Sequence, residues 1–89
     1  MEIEVRIPSA EELKELGVKE WPIWEKEESV FDWSYDEKET CYFLEGEVEV
    51  ELPEGRKVIV KKGNLVIFPQ GLKCKWNIKK RVKKHYNFG

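Results

Sequence analysis

"GNLVIFPQGLKC", residues 63–74, decides how the rest of the chain is read. Gly63, Pro69, Gly71 and Cys74 stand at fixed offsets around the apolar run Leu65 to Phe68. "PQG" has the composition of a turn, and "LVIF" is too short for a helix but fits a buried strand. The flanking segments share this grain. "SVFDWSY" (29–35) alternates Phe31, Trp33 and Tyr35 with Val30, Asp32 and Ser34, and "GEVEVEL" (46–52) puts Val48, Val50 and Leu52 on one face and glutamates on the other. "PEG" (53–55) and "KKGN" (61–64) are further turns, with "KVIV" between them and "KCKWNI" and "VKKHYNF" after them. Short antiparallel strands at close spacing predict an all-β sandwich or small barrel, formed as one domain over residues 1–89.

One helix is expected ahead of the strands, over residues 10–16. Ser9 and Glu12 have the spacing of a capping box, and Gly17 can end the helix. A helix this short depends on docking, here through Leu13 and Leu16.

The charge is segregated. All 18 acidic residues lie in 1–54 with 5 basic ones, whereas residues 55–89 carry 11 basic residues and no acid. Either the second part is a nucleic-acid surface, or acidic strands lie beside basic ones, with Glu47, Glu49 and Glu51 facing Lys57 and Lys61. The pI of 5.5 favours the second reading, so nucleic acid is not an expected partner. No apolar run reaches the roughly 18 residues of a membrane span, and the N-terminus is acidic where a secretory signal is basic. The expectation is a cytoplasmic protein. High Lys and Glu hint at a thermophilic source, for which a Cys41–Cys74 disulfide stays open.

Two motifs carry a family resemblance. Gly63-x5-Pro69-x-Gly71-x2-Cys74 resembles the second cupin motif, with cysteine at the histidine position. Trp33-x-Tyr35-x3-Glu39-x6-Gly46 has the spacing of the first, with aromatics in place of its two histidines. The chain thus resembles the cupin superfamily, and within it the ureidoglycine aminohydrolase-type group of small single-domain cupins. The resemblance implies a jelly-roll barrel with a cavity at one mouth, often dimerised, and a divalent metal held by three histidines and the glutamate. Here those positions hold Trp33, Tyr35, Glu39 and Cys74. An indole cannot ligate a divalent metal and a neutral phenol ligates poorly, so the metal of the family is not expected. If one binds weakly, Glu39, Cys74 and Tyr35 would hold it.

What remains is a pocket of one carboxylate, thiols and aromatics. Strand alternation puts Trp33, Tyr35, Glu39 and Cys41 on one face, with Cys74 and Trp76 facing the same way. Glu39 and Cys74 are the candidate catalytic residues, as acid or base and as nucleophile; Trp33, Tyr35, Cys41 and Trp76 are the candidate ligand contacts. Burial would favour the protonated form of Glu39, and a carboxylate facing a barrel interior needs a ligand, a cation or a hydrogen-bond network. Lys73, Lys75 and Lys84 could stabilise a Cys74 thiolate. The competing reading is that these aromatics and cysteines simply fill the barrel. His85, the single histidine, reads as a surface or packing residue, and Trp21 and Trp24 as an aromatic arm covering a barrel end or a dimer partner, or else as ordinary core packing.

The expected function is therefore a small-molecule-binding cupin. The alternatives are a metal-assisted hydrolase or isomerase of a small nitrogenous or carboxylated metabolite, and a non-catalytic dimeric scaffold.

Overall fold

The computed structural model describes residues 2–89. Its strands are β1 (Glu4–Arg6), β2 (Ile23–Lys26), β3 (Ser29–Ser34), β4 (Glu39–Glu51), β5 (Lys57–Lys61), β6 (Leu65–Phe68) and β7 (Lys73–Phe88). Helix α1 (Ala10–Leu16) and a 3₁₀ turn (Val18–Glu20) lie between β1 and β2. All strand pairs are antiparallel.

Two long strands organise everything else. β4 and β7 pair with each other along nearly their whole length, with register shifts between Phe43 and Val48. Such irregularities bend and twist a ladder. Beyond the bend, β5 joins β4 and β3 joins β7; before it, β6 and then β1 extend from β4, while β2 joins β7. The two halves fold over one core that includes Phe43, Val48, Val50, Val60, Phe68, Trp76, Ile78 and Val82. This is a curled antiparallel sheet consistent with a jelly roll. The expected barrel is not closed: β1, β2, β3 and β5 remain edges among the described residues.

Gly46 sits at the bend with φ of 101°. A Cβ there would strike the Arg81 carbonyl oxygen and lie 2.8 Å from Val82 Cα. The motif glycine is thus the point where β4 and β7 come too close for any side chain.

The charge segregation resolves into strand pairing. Glu47 and Glu51 stand opposite Lys61 and Lys57 on one side, and opposite Lys80 and Lys75 on the other. The acidic strand lies between two basic ones. The helix keeps its expected bounds: Ser9 accepts a hydrogen bond from Glu12 N at 3.1 Å, and Gly17 closes it in the left-handed region. The Glu12 side chain turns instead to Arg6, at 2.7 Å. Leu16 does not dock; it is 40% exposed, and the buried anchor of this segment is Val18. "KCKWNI" and "VKKHYNF", expected as separate strands, are one continuous β7.

Candidate functional site

The second motif fixes the first. In the turn at 69–71, Gly71 N–H donates to Tyr35 O at 2.7 Å, and Tyr35 N–H donates to Leu72 O at 2.9 Å. This clamp holds Tyr35 against Phe68, ring on ring at 4.8 Å. Four residues later β4 begins, with Glu39 paired to Phe68 on one side and Phe88 on the other. The register shifts start only after Phe43, so alternation sends Glu39, Cys41 and Phe43 inward.

Glu39 is 4% exposed and its partner is Lys84, itself 5% exposed. Lys84 Nζ donates to Glu39 Oε2 at 2.7 Å, and the Cys41 thiol donates to the same oxygen at 2.8 Å. Lys84 Nζ also lies 3.2 Å from Cys41 Sγ. Three ring faces surround the ammonium: Trp76 at 4.9 Å, Trp24 at 5.0 Å and Phe43 at 5.9 Å. A desolvated cation among aromatic faces is held by their negative quadrupole faces as well as by the carboxylate. The pair opens on a cavity of about 220 Å³ lined by Trp24, Phe31, Trp33, Tyr35, Glu39, Trp76, Lys84, Tyr86 and Phe88. Two buried polar atoms of its lining residues, Tyr35 Oη and Trp76 Nε1, form no well-aligned hydrogen bond, although the indole N–H lies close enough to the phenol and to the Cys74 thiol to favour their ionised forms.

Of the residues singled out from sequence, Trp33, Tyr35, Glu39 and Trp76 line this cavity. Trp33 stands at its edge, 49% exposed. Cys41 lies behind Glu39, out of the cavity wall. Cys74 departs further: it lies beside a separate shallow cleft with Asp32, Trp33 and Leu52. The three lysines considered as its activators do not serve it. Lys84 is on Glu39, while Lys73 and Lys75 border the same cleft but alternate to the exposed face of the strand and do not lower the Cys74 thiol.

Neither thiol is activated. Burial pushes Cys74 up to about 11, with the Asp32 charge adding to the shift. Burial also raises Cys41, against the opposing pull of Lys84, and Tyr35 is raised by burial and by the Glu39 charge. Both cysteines are free, so the disulfide left open above is not formed. A group held neutral in the fold but ionised in the unfolded chain loses stabilising power as pH rises past its unfolded value. Stability should therefore fall between roughly pH 8.5 and 11 as the unfolded thiols ionise and the folded ones do not. Alkylation by iodoacetamide checks the same point. Native Cys74 should react slowly at neutral pH and accelerate toward pH 11, and Cys41 should react only on unfolding. Rapid labelling of Cys74 at pH 7 would restore it as a nucleophile.

The donor set does not fit the metal of the ordinary cupin. Trp33 offers no lone pair, Tyr35 is held as a neutral phenol, Cys74 is outside the cavity, and Glu39 Oε2 is already bound to a cation. Among the described residues no three His, Cys, Asp or Glu side chains gather as a metal cluster. The Lys84 ammonium is the cation that Glu39 has.

Sequence reasoning missed Lys84 as the partner of Glu39, and with it Trp24, Phe31, Tyr86 and Phe88 as cavity walls. Trp24 is placed by the β2–β7 ladder, where it stands directly opposite Lys84. His85 turns the other way and packs rather than lying on the surface: it is 9% exposed, with Nδ1 2.9 Å from Trp21 O. Tyr86 N–H donates to Pro22 O beside it. Trp24 is therefore part of the sheet, as a residue of β2, and Trp21 just before that strand is held to β7 through His85; neither is a separate arm.

A curled sheet with both cupin turns, and a lysine–carboxylate pair beneath an aromatic cavity, defines a cupin without the usual histidine donors. The chain belongs to the EutQ-like cupin domain family, whose model matches residues 13–86. It is similar to the crystal structure of a DUF861 family protein from Thermotoga maritima, with a TM-score of 0.97 and 55% identity over 99% of this chain and 100% of that one. It is also similar to the structure of the Clostridium difficile EutQ protein, with a TM-score of 0.66 and 28% identity, covering 72% of this chain and 50% of that chain. A curated relative, acetate kinase EutQ from Clostridioides difficile (strain 630), is 32% identical over 54 residues, which is 61% of this chain and 34% of the relative. The chain spans about a third of that protein's length.

Proposed function

We propose that this chain is a small-molecule-binding cupin whose recognition centre is the Lys84–Glu39 pair. The observation that carries this reading is a buried ion pair opening directly onto a cavity walled almost wholly by aromatic side chains. An ion pair kept only for stability gains nothing from such an opening, whereas apolar walls with a few convergent polar groups are the usual make-up of a ligand site. The ligand is small, with an apolar surface for the exposed sides of Trp24, Phe31 and Trp76, whose rings pack on one another, and one polar group for Lys84.

Other activities fit less well. A hydrolase of the ureidoglycine aminohydrolase type would draw on a metal for which the donors are wrong. An acetate kinase must hold polyphosphate, and the one basic residue lining this cavity is already neutralised by Glu39. A reducing cytoplasm is in keeping with the two free thiols.

Thermal-shift screening of small aromatic and carbonyl metabolites tests the reading. A ligand at about 100 times its Kd should add about 2.7 kcal/mol of stability. Glu39→Gln, which folds but loses the carboxylate, should lose that increment. If no compound stabilises the wild type, or the shift survives in both Glu39→Gln and Trp24→Ala, the cavity is not the binding site.

A further inference from the structure

The geometry points to a covalent role for Lys84: we propose that it is the amine nucleophile of a Schiff-base site, taking a small aldehyde or ketone with an apolar body. Of the nucleophilic side chains around the cavity it is the one that reaches the wall, because Cys41 is fully buried behind Glu39 and Cys74 lies outside. Glu39 Oε2, 2.7 Å from Nζ, is placed to take and return a proton without diffusion. The aromatic surround of Trp24, Phe43 and Trp76 keeps water from the nitrogen, which favours an imine over its hydrolysis.

The step balances on these two residues. Lys84 passes one proton from its ammonium to Glu39, and the freed amine adds its lone pair to the carbonyl carbon while the C=O π pair moves to oxygen. A proton relocates from nitrogen to that oxygen, giving a neutral carbinolamine. Glu39 returns its proton to the hydroxyl, which leaves as water as the nitrogen lone pair forms the C=N bond. The product is a protonated imine facing the Glu39 carboxylate, so the original charge pair is re-formed. Nothing is oxidised or reduced.

Lys84 can act in this way only if the cavity admits ligands, as proposed above, and one experiment separates the two ideas. The protein is treated with limiting benzaldehyde and sodium cyanoborohydride near neutral pH, and the benzylated lysines are located by peptide mass spectrometry. A purely structural lysine, buried and paired, would be the slowest of all the lysines to react. The expected result is the reverse, with Lys84 labelled at least about tenfold faster than the exposed lysines. Glu39→Gln should slow that labelling about 100-fold. Lys84→Arg keeps the charge and the pairing but forms no imine, so it should fold and lose the label. Benzyl alcohol, which cannot form an imine, serves as the parallel probe in thermal shift. Stabilisation by benzyl alcohol with Lys84 unlabelled overturns the Schiff-base role and leaves the pocket standing; neither labelling nor stabilisation overturns both.

Discussion

Gly46→Ala is expected to cost about 3–5 kcal/mol of folding stability and to lower the melting temperature by about 15–30 °C. Two penalties combine. The backbone at Gly46 has φ of 101°, where an L side chain is strained. The added methyl would also meet the Arg81 carbonyl and Val82 Cα, both backbone atoms that no rotamer change can move. Relief therefore requires β4 and β7 to separate where the two halves of the sheet bend over the core. Against a total stability of about 5–15 kcal/mol for a domain, much of the fold's margin is lost. Gly55 is the control: its φ is 96° but nothing lies within 4 Å of a built Cβ. Gly55→Ala should cost about 1–2 kcal/mol, from backbone strain alone. Equal melting temperatures for the two variants would show that the close approach at Gly46 is without energetic weight.

Removing one member of the ion pair is the second large effect. Lys84→Met leaves Glu39 buried without its cation and should cost about 3–5 kcal/mol. The methionine fills the same aromatic surround, so the loss reports the stranded charge more than lost packing. Glu39→Gln should cost less than Lys84→Met, because the remaining ammonium keeps its ring faces and Cys41 Sγ. The double variant Glu39→Gln/Lys84→Met buries no charge at all. It should recover most of the loss, since a buried ion pair exchanged for neutral groups is often neutral or stabilising. Urea denaturation of the four proteins gives the coupling directly. If the single losses simply add in the double variant, Glu39 and Lys84 are not one unit.

The same residues show what the amino-acid sequence made legible. The turn glycines, the capped helix and the alternation of β4 are local, and each was readable from spacing alone. Glu39 was readable too, because the ladder irregularities come after Phe43 and leave the alternation from 39 to 43 intact. Lys84 was not. It follows Lys83 in "VKKHYNF", and alternation sends one of them inward and the other out. Which one depends on how many residues the bulged ladder absorbs opposite Gly46, a count the sequence does not display. Trp24 depends on a pairing with β7 across most of the chain, and "WPIW" has no strand signature strong enough to announce it. Cys74 was misplaced for another reason. The spacing of a motif carried it to the position of a ligand, but its side chain packs in the core beside a different cleft.

The reliance of the sheet on β7 also governs how the chain can fold. β2 and β3 have hydrogen-bonded strand partners only in β7, which follows every other strand. During synthesis both must wait unpaired until residues 73–88 have left the ribosome, and the core cannot close before then. Folding of this domain is therefore dominated by distant pairings, the class that folds in milliseconds to seconds. The lysines and arginine crowded along β7 keep this last strand soluble while it finds its place between the acidic β4 and its other neighbours.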